Sequence, residues 1–179
     1  EKSGLGFVML VNYQQATVGP YKELLFMPGP FAHNGKRSIT KIYVDSENST
    51  RNGRYNWGIP KETATIRWTK AGHVDHITVT AKGHRFFDCL ITSGGLPFPV
   101  HTALMPMHLY QQLNGRTYVT HPEGKGWGRL ARIRDIHVLQ DYFPDISLLN
   151  PLAAVRVSPF KMHFPKAVVD KDNTGNSSA

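Results

Sequence analysis

Short runs of β-branched and aromatic residues, closed off by Gly, Pro, Asn and Asp, recur along this chain while helical periodicity is scarce, so its core has to be built from strands. The runs are Phe7 to Tyr13, Glu23 to Phe26, Ser38 to Val44, Ala64 to Trp68, His76 to Thr80, Arg85 to Thr92, Thr117 to Thr120, Arg129 to Leu139, Ala153 to Val157 and Lys161 to Phe164. Short strands separated by turn signals fit a sandwich or a closed barrel better than a layered α/β fold. A length of 179 residues closes one substantial core and is too short for two ordinary domains. We therefore expect one domain over residues 1–170 and a small, polar, frayed tail over 171–179. The sequence opens on Glu1 rather than Met, which leaves room for a missing upstream part of that domain.

One or two short helices are expected among the strands. The polar stretch from Ser46 to about Asn56 can be capped by Asp45 or Ser46, whose side chains accept from first-turn amides, and Gly58 and Pro60 stop it. A weaker helical candidate covers Leu104 to Leu113. Gly124-Lys125-Gly126-Trp127-Gly128 lacks the Gly-Lys-Ser/Thr of a phosphate loop and reads as a hairpin turn.

The net charge of +8 and pI near 9.7 raise the question of a polyanionic partner. The charges are scattered, however, and the densest run, Arg129-Leu-Ala-Arg-Ile-Arg134, alternates like the wet face of a strand, so no nucleic-acid partner is expected. No stretch approaches the roughly 20 apolar residues of a spanning helix, and no secretory signal opens the chain, so no membrane partner is expected. The single cysteine, Cys89, sits in an apolar run and has no intrachain disulfide partner. With the sequons at Asn48 and Asn176 set aside as chance triplets, a reducing, cytoplasmic setting is the simplest expectation. The nine histidines form no His-Glu-x-x-His and have no clustered cysteines beside them, so no metal site is expected.

The segment richest in chemical content is Asn52-Gly-Arg-Tyr-Asn-Trp-Gly-Ile-Pro-Lys61-Glu-Thr-Ala64, which sets one lysine among Trp57, Ile59 and Pro60 just after a helix stop. Desolvation disfavours an ammonium, so a lysine whose tip lies inside a barrel gains free amine at neutral pH. A free amine attacks a carbonyl, and the resulting protonated Schiff base is an electron sink for decarboxylation or aldol chemistry. Taken by its spacing alone, Lys61 reads as a solvated charge that buries only its stem.

A resemblance shifts that balance. Val18-Gly-Pro-Tyr-Lys-Glu-Leu-Leu-Phe-Met-Pro-Gly-Pro-Phe31, then Ser38-Ile-Thr-Lys-Ile-Tyr-Val44, then Asn56-Trp-Gly-Ile-Pro-Lys61 resemble, in order and spacing, the acetoacetate decarboxylase superfamily, closest to its uncharacterised decarboxylase-like members. The resemblance implies a mostly β, closed or cone-like barrel with an internal cavity, a cofactor-free decarboxylase acting on a small keto acid, and a homo-oligomer. It assigns the Schiff base to Lys61 and places Glu23 in the same cavity. Glu23 is then a general acid or base; its alternative is a surface pair with Lys22 or Lys41. Arg51 and Arg54, three apart on the expected helix, are candidates for a substrate carboxylate, and Tyr21 and Trp57 for pocket walls.

The pattern departs from the family in three places. Where the decarboxylase has a second, activating lysine, this chain has Glu62, whose carboxylate would hold Lys61 protonated if it pointed the same way. The family's active-site arginine comes from a segment upstream of Glu1. The position of a further pocket carboxylate falls on an apolar residue, about Val8. Aldolase, dehydratase or cyclase chemistry shares the same iminium and stays open beside decarboxylation. A non-catalytic binding barrel, with Lys61 merely paired to Glu62 or Glu23, is the rival from another class.

Overall fold

The computed structural model describes residues 5–31, 35–104, 108–149 and 151–171. The chain is mostly β and barrel-like, as expected. In order the strands are β1 (Phe7–Tyr13), β2 (Tyr21–Met27), β3 (Lys41–Val44), β4 (Lys61–Thr63), β5 (Thr65–Ala71), β6 (Val74–Ala81), β7 (His84–His101), β8 (Leu109–Leu113), β9 (Arg116–Thr120), β10 (Glu123–Val138), β11 (Val155–His163) and β12 (Val168–Lys171). Helix α1 (Glu47–Trp57) lies between β3 and β4. The strands form three sheets, ordered β1-β2-β3-β4, β11-β10-β7-β6-β5 and β12-β9-β8.

The pairing of β3 with β4 is parallel, and α1 is the crossover that a parallel pair requires. Ser46 caps the helix by accepting from the Ser49 amide, and Gly58 ends it at φ 60°, a left-handed geometry that costs glycine little. The expected first helix is thus present, capped and stopped by the residues that predicted it.

The inner strands β2 and β3 of the four-stranded sheet are buried on both faces, which is why β2 reads as the nearly unbroken apolar run Leu24-Leu-Phe-Met27. On one face Leu24 and Tyr43 pack with Ile66, Ile77, Val79, Phe86, Phe87, Cys89 and Phe143. On the other, Leu25, Met27, Ile42 and Val44 pack with Ile39, Ile59 and Leu109. Among the described residues no helix is long and apolar enough to cross a membrane.

Two sequence expectations are corrected. Residues 109–113 of the weaker helix candidate form strand β8, and residues 105–107 lie outside the described ones. Leu109 and Gln111 are buried while Gln112 is exposed, and pairing with β9 across the Asn114–Gly115 turn supplies partners that outweigh local helix propensity. The glycine-rich segment 124–128 is not a turn; it runs inside β10. A side chain at Gly126 would meet the Pro159 carbonyl oxygen at 2.5 Å, and one at Gly128 would meet Val100 and Phe98 at 2.7 and 2.8 Å. These glycines therefore mark close approach of neighbouring strands, beside a register shift in the β10–β11 ladder. Strands β4 and β12, three and four residues long, are too short to show a period in sequence. The polar tail expected over 171–179 falls mostly on residues 172–179, outside the described ones.

Gly126→Ala is expected to cost about 1–3 kcal/mol by overpacking against backbone, read as a fall of several degrees in Tm; an unchanged Tm contradicts the close approach. A second expectation concerns Cys89, whose thiol is pushed from 9.0 up to about 12 by burial and then by the charge of Asp88. Because the folded value lies above the unfolded one, this contribution to stability is complete below pH 9 and is lost as pH rises toward 12. Urea unfolding across that window should show a shallower decline for Cys89→Ala than for the parent; equal slopes would remove Cys89 from the alkaline response.

Candidate active site

Alternation along the strands decides which side chains meet. On β2, Tyr21 and Glu23 share the face of Leu25 and Met27; on β4, Lys61 lies beside Ile42 in the parallel ladder and shares that face. Helix α1 covers the same face and turns Ser49 and Gly53 inward, both buried. Lys61 is 7% exposed and Glu23 5%.

The Lys61 amine sits among three oxygens: Ser49 Oγ at 3.1 Å, Glu23 Oε2 at 3.2 Å and the Tyr21 hydroxyl at 3.4 Å. These match the three N–H donors of an ammonium, so no donor is left unsatisfied in the interior. The amine also lies 4.8 Å from the centre of the Tyr21 ring. The other oxygen of Glu23 accepts from the Tyr13 hydroxyl at 3.4 Å. Tyr13 is held opposite Tyr21 in the β1–β2 ladder, with ring centres 4.8 Å apart, and packs edge-on against Phe160 of β11 at 5.6 Å. Burial, and then the charge of Glu23, holds both phenols above their ordinary pKa, Tyr13 strongly so. Both are therefore neutral, proton-bearing groups at physiological pH.

The lysine stem needs room, and Gly53 supplies it. A methyl at Gly53 would come within 2.6 Å of Lys61 Cδ and 2.9 Å of Cε. Outside the cluster, Arg54 Nη1 donates to the Lys61 carbonyl oxygen at 3.0 Å and fixes the backbone where β4 begins.

Of the residues singled out in the sequence, Lys61, Glu23 and Tyr21 come together. Glu62 points to the other face of the sheet and takes the Lys41 amine at 2.6 Å. Burial alone would lower the Lys41 pKa, but hydrogen bonds to Glu62 and Tyr43 outweigh it and the value rises. The feared carboxylate next to Lys61 is thereby occupied elsewhere. The surface alternatives for Glu23 are closed as well, since Lys22 pairs with Asp45 at 2.9 Å and Lys41 with Glu62. Trp57 does not line the cluster; its indole donates to the Pro165 carbonyl oxygen at 2.7 Å and its ring packs on Phe164. Arg51 and Arg54 lie on the exposed side of α1, Arg51 near Glu47 at 3.8 Å.

Sequence reasoning missed Ser49, Gly53 and Tyr13. The signal for the first two was present: small residues four apart on an otherwise polar helix mark the stripe that sits on a sheet. Tyr13 could be found only from the hairpin register that sets it across from Tyr21. Among the described residues no three His, Cys, Asp or Glu side chains converge as a metal site would need.

Gly53→Ala is expected to destabilise the fold by about 1–3 kcal/mol, and the double variant with Lys61→Ala to be more stable than the sum of the single losses predicts, because the added methyl meets Lys61. Strict additivity in a double-mutant cycle of unfolding free energies would contradict this packing.

The sequence model of the acetoacetate decarboxylase family matches residues 1–117. Among solved structures, an acetoacetate decarboxylase of Legionella pneumophila is similar to 95% of this chain over 75% of its own, at TM-score 0.67 and 10% identity. A second acetoacetate decarboxylase structure gives 0.66 at 13% identity, covering 95% of this chain and 77% of its own. The enduracididine biosynthesis enzyme MppR with HEPES buffer bound gives 0.51 at 17% identity, covering 87% of this chain and 66% of its own. At these identities the structural likenesses speak to fold. No protein of curated function matches the sequence significantly. The family match spans well over half of the chain: it belongs to the acetoacetate decarboxylase family.

Proposed function

We propose that this protein is a cofactor-independent lyase that decarboxylates a small β-keto acid through a Schiff base on Lys61. The observation that carries the reading is the buried Lys61 amine, held 3.2 Å from a buried carboxylate and beside two hydroxyls. In the first step Glu23 takes a proton from the ammonium, and the freed amine attacks the keto carbon. The carbinolamine hydroxyl leaves as water with the proton that Glu23 had taken, which gives the protonated Schiff base and restores the Glu23 carboxylate. The bond to the carboxylate then breaks, carbon dioxide leaves, and the electron pair moves to the iminium nitrogen as an enamine. Glu23 then relays a proton from solvent to the enamine carbon, and water hydrolyses the iminium to release the ketone and restore Lys61.

Where the family's decarboxylase has an activating second lysine, Glu23 stands 3.2 Å from the Lys61 amine as its proton acceptor. Tyr13 and Tyr21, kept neutral, can orient Glu23 and the substrate without adding charge that would repel a carboxylate. Aldol, dehydration or cyclisation chemistry runs through the same iminium. A reducing, cytoplasmic setting fits the buried free thiol of Cys89. Assembly into a homo-oligomer is part of the proposal, supported by Trp127, Leu130 and Val155, which are 52%, 63% and 42% exposed on the β10–β11 ladder.

One observation favours the second reading, a non-catalytic binding barrel: the amine is already paired with Glu23. Borohydride treatment with acetoacetate, pyruvate and related keto acids, followed by mass spectrometry, separates the two. We expect a reduced adduct on Lys61, absent in Lys61→Ala. We also expect Glu23→Gln to slow carbon dioxide release by about 10²–10⁴. No adduct with any keto acid would leave the binding barrel standing.

A further inference from the structure

The two arginines that the sequence offered to the substrate face a different feature. Between the exposed side of α1 and the β8–β9 turn lies an open groove of about 810 Å³, lined by Arg51 and Arg54 from the helix, by Asn114 of the turn and by Arg116 at the start of β9. Arg51 and Arg54 are three residues apart and so share a helix face, and Arg116 faces them from another element. Three arginine residues thus line one groove, and among the described residues no aspartate or glutamate lines it. The pairing of Arg51 with Glu47 is 3.8 Å long, with both side chains at least 75% exposed, and contributes little in water. Arg116 makes no ion pair among the described residues.

Like charges gathered this way repel unless an anion lies between them. The helix offers the groove its C-terminal end, whose partial charge is negative, so such an anion has to be held by the guanidiniums rather than by the helix dipole. Guanidinium forks match the oxygens of phosphate in bidentate fashion. Tyr55, 81% exposed on the groove wall, adds a flat face for the body of the ligand.

We propose that this groove binds a phosphate-bearing small molecule at a site separate from the Lys61 cluster. Arg54 belongs to both regions, since it also holds the Lys61 carbonyl oxygen, so the test uses Arg51 and Arg116. Their side chains are exposed, and thermal melts of Arg51→Ala and Arg116→Ala should match the parent. Calorimetric titration at low ionic strength, with inorganic pyrophosphate as probe, reads the site without any appeal to Lys61 chemistry. We expect saturable one-to-one binding, weakened about tenfold or more in each variant as a charge-assisted contact is lost, and weakened by added salt. Absence of saturable binding, equal affinity in parent and variants, or malonate bound as tightly as pyrophosphate would each overturn the proposal.

Discussion

A lysine and a glutamate withdrawn together from water impose the tightest constraint on this molecule. Isolating either charge in the interior costs several kcal/mol, and the surroundings of Lys61 and Glu23 are arranged to meet that cost with hydrogen bonds. Ser49, Tyr21 and Glu23 take the three donors of the amine, and Tyr13 donates to the far oxygen of the carboxylate. The cluster draws Tyr13 from β1, Tyr21 and Glu23 from β2, Ser49 from α1 and Lys61 from β4, so all four elements must be in register for it to exist. The parallel β3–β4 crossover, the small residues on the inner face of α1 and the glycine stop at Gly58 are local consequences of that requirement.

The alternation of a strand also separates two chemistries one residue apart. Lys61 enters the cluster, whereas Glu62 crosses to the other face and pairs with Lys41. The period of two keeps the Glu62 carboxylate off the face that Lys61 occupies. For the same reason Lys22 and Glu23, adjacent in sequence, have separate partners in Asp45 and Lys61.

Much of this was legible beforehand, and the gaps have physical causes. The helix from Ser46 was marked by its cap and its glycine, and Lys61 and Glu23 were marked by the family pattern rather than by any local signal. Spacing on the helix gives Arg51 and Arg54 a shared face but not the side on which that face packs, and both lie on the exposed side of α1. Residues 109–113 carried weak helical preference and were claimed by a strand partner. The glycines at 124–128 looked like punctuation, yet they serve where strands crowd. Pairing across strands, which also places Tyr13, is a long-range property that no local window contains.

Belonging to the acetoacetate decarboxylase family fixes the fold and makes Schiff-base chemistry the natural reading. The claim on which the account turns is that Lys61 is the nucleophile and that Glu23 faces the reacting carbon. A crystal structure of the protein reduced with borohydride in the presence of a keto acid tests it most directly. Electron density continuous with Lys61 Nζ is expected, with the carboxylate of Glu23 within hydrogen-bonding reach of the added carbon chain. An unmodified Lys61 still locked to Glu23, with the keto acid bound elsewhere, would contradict it.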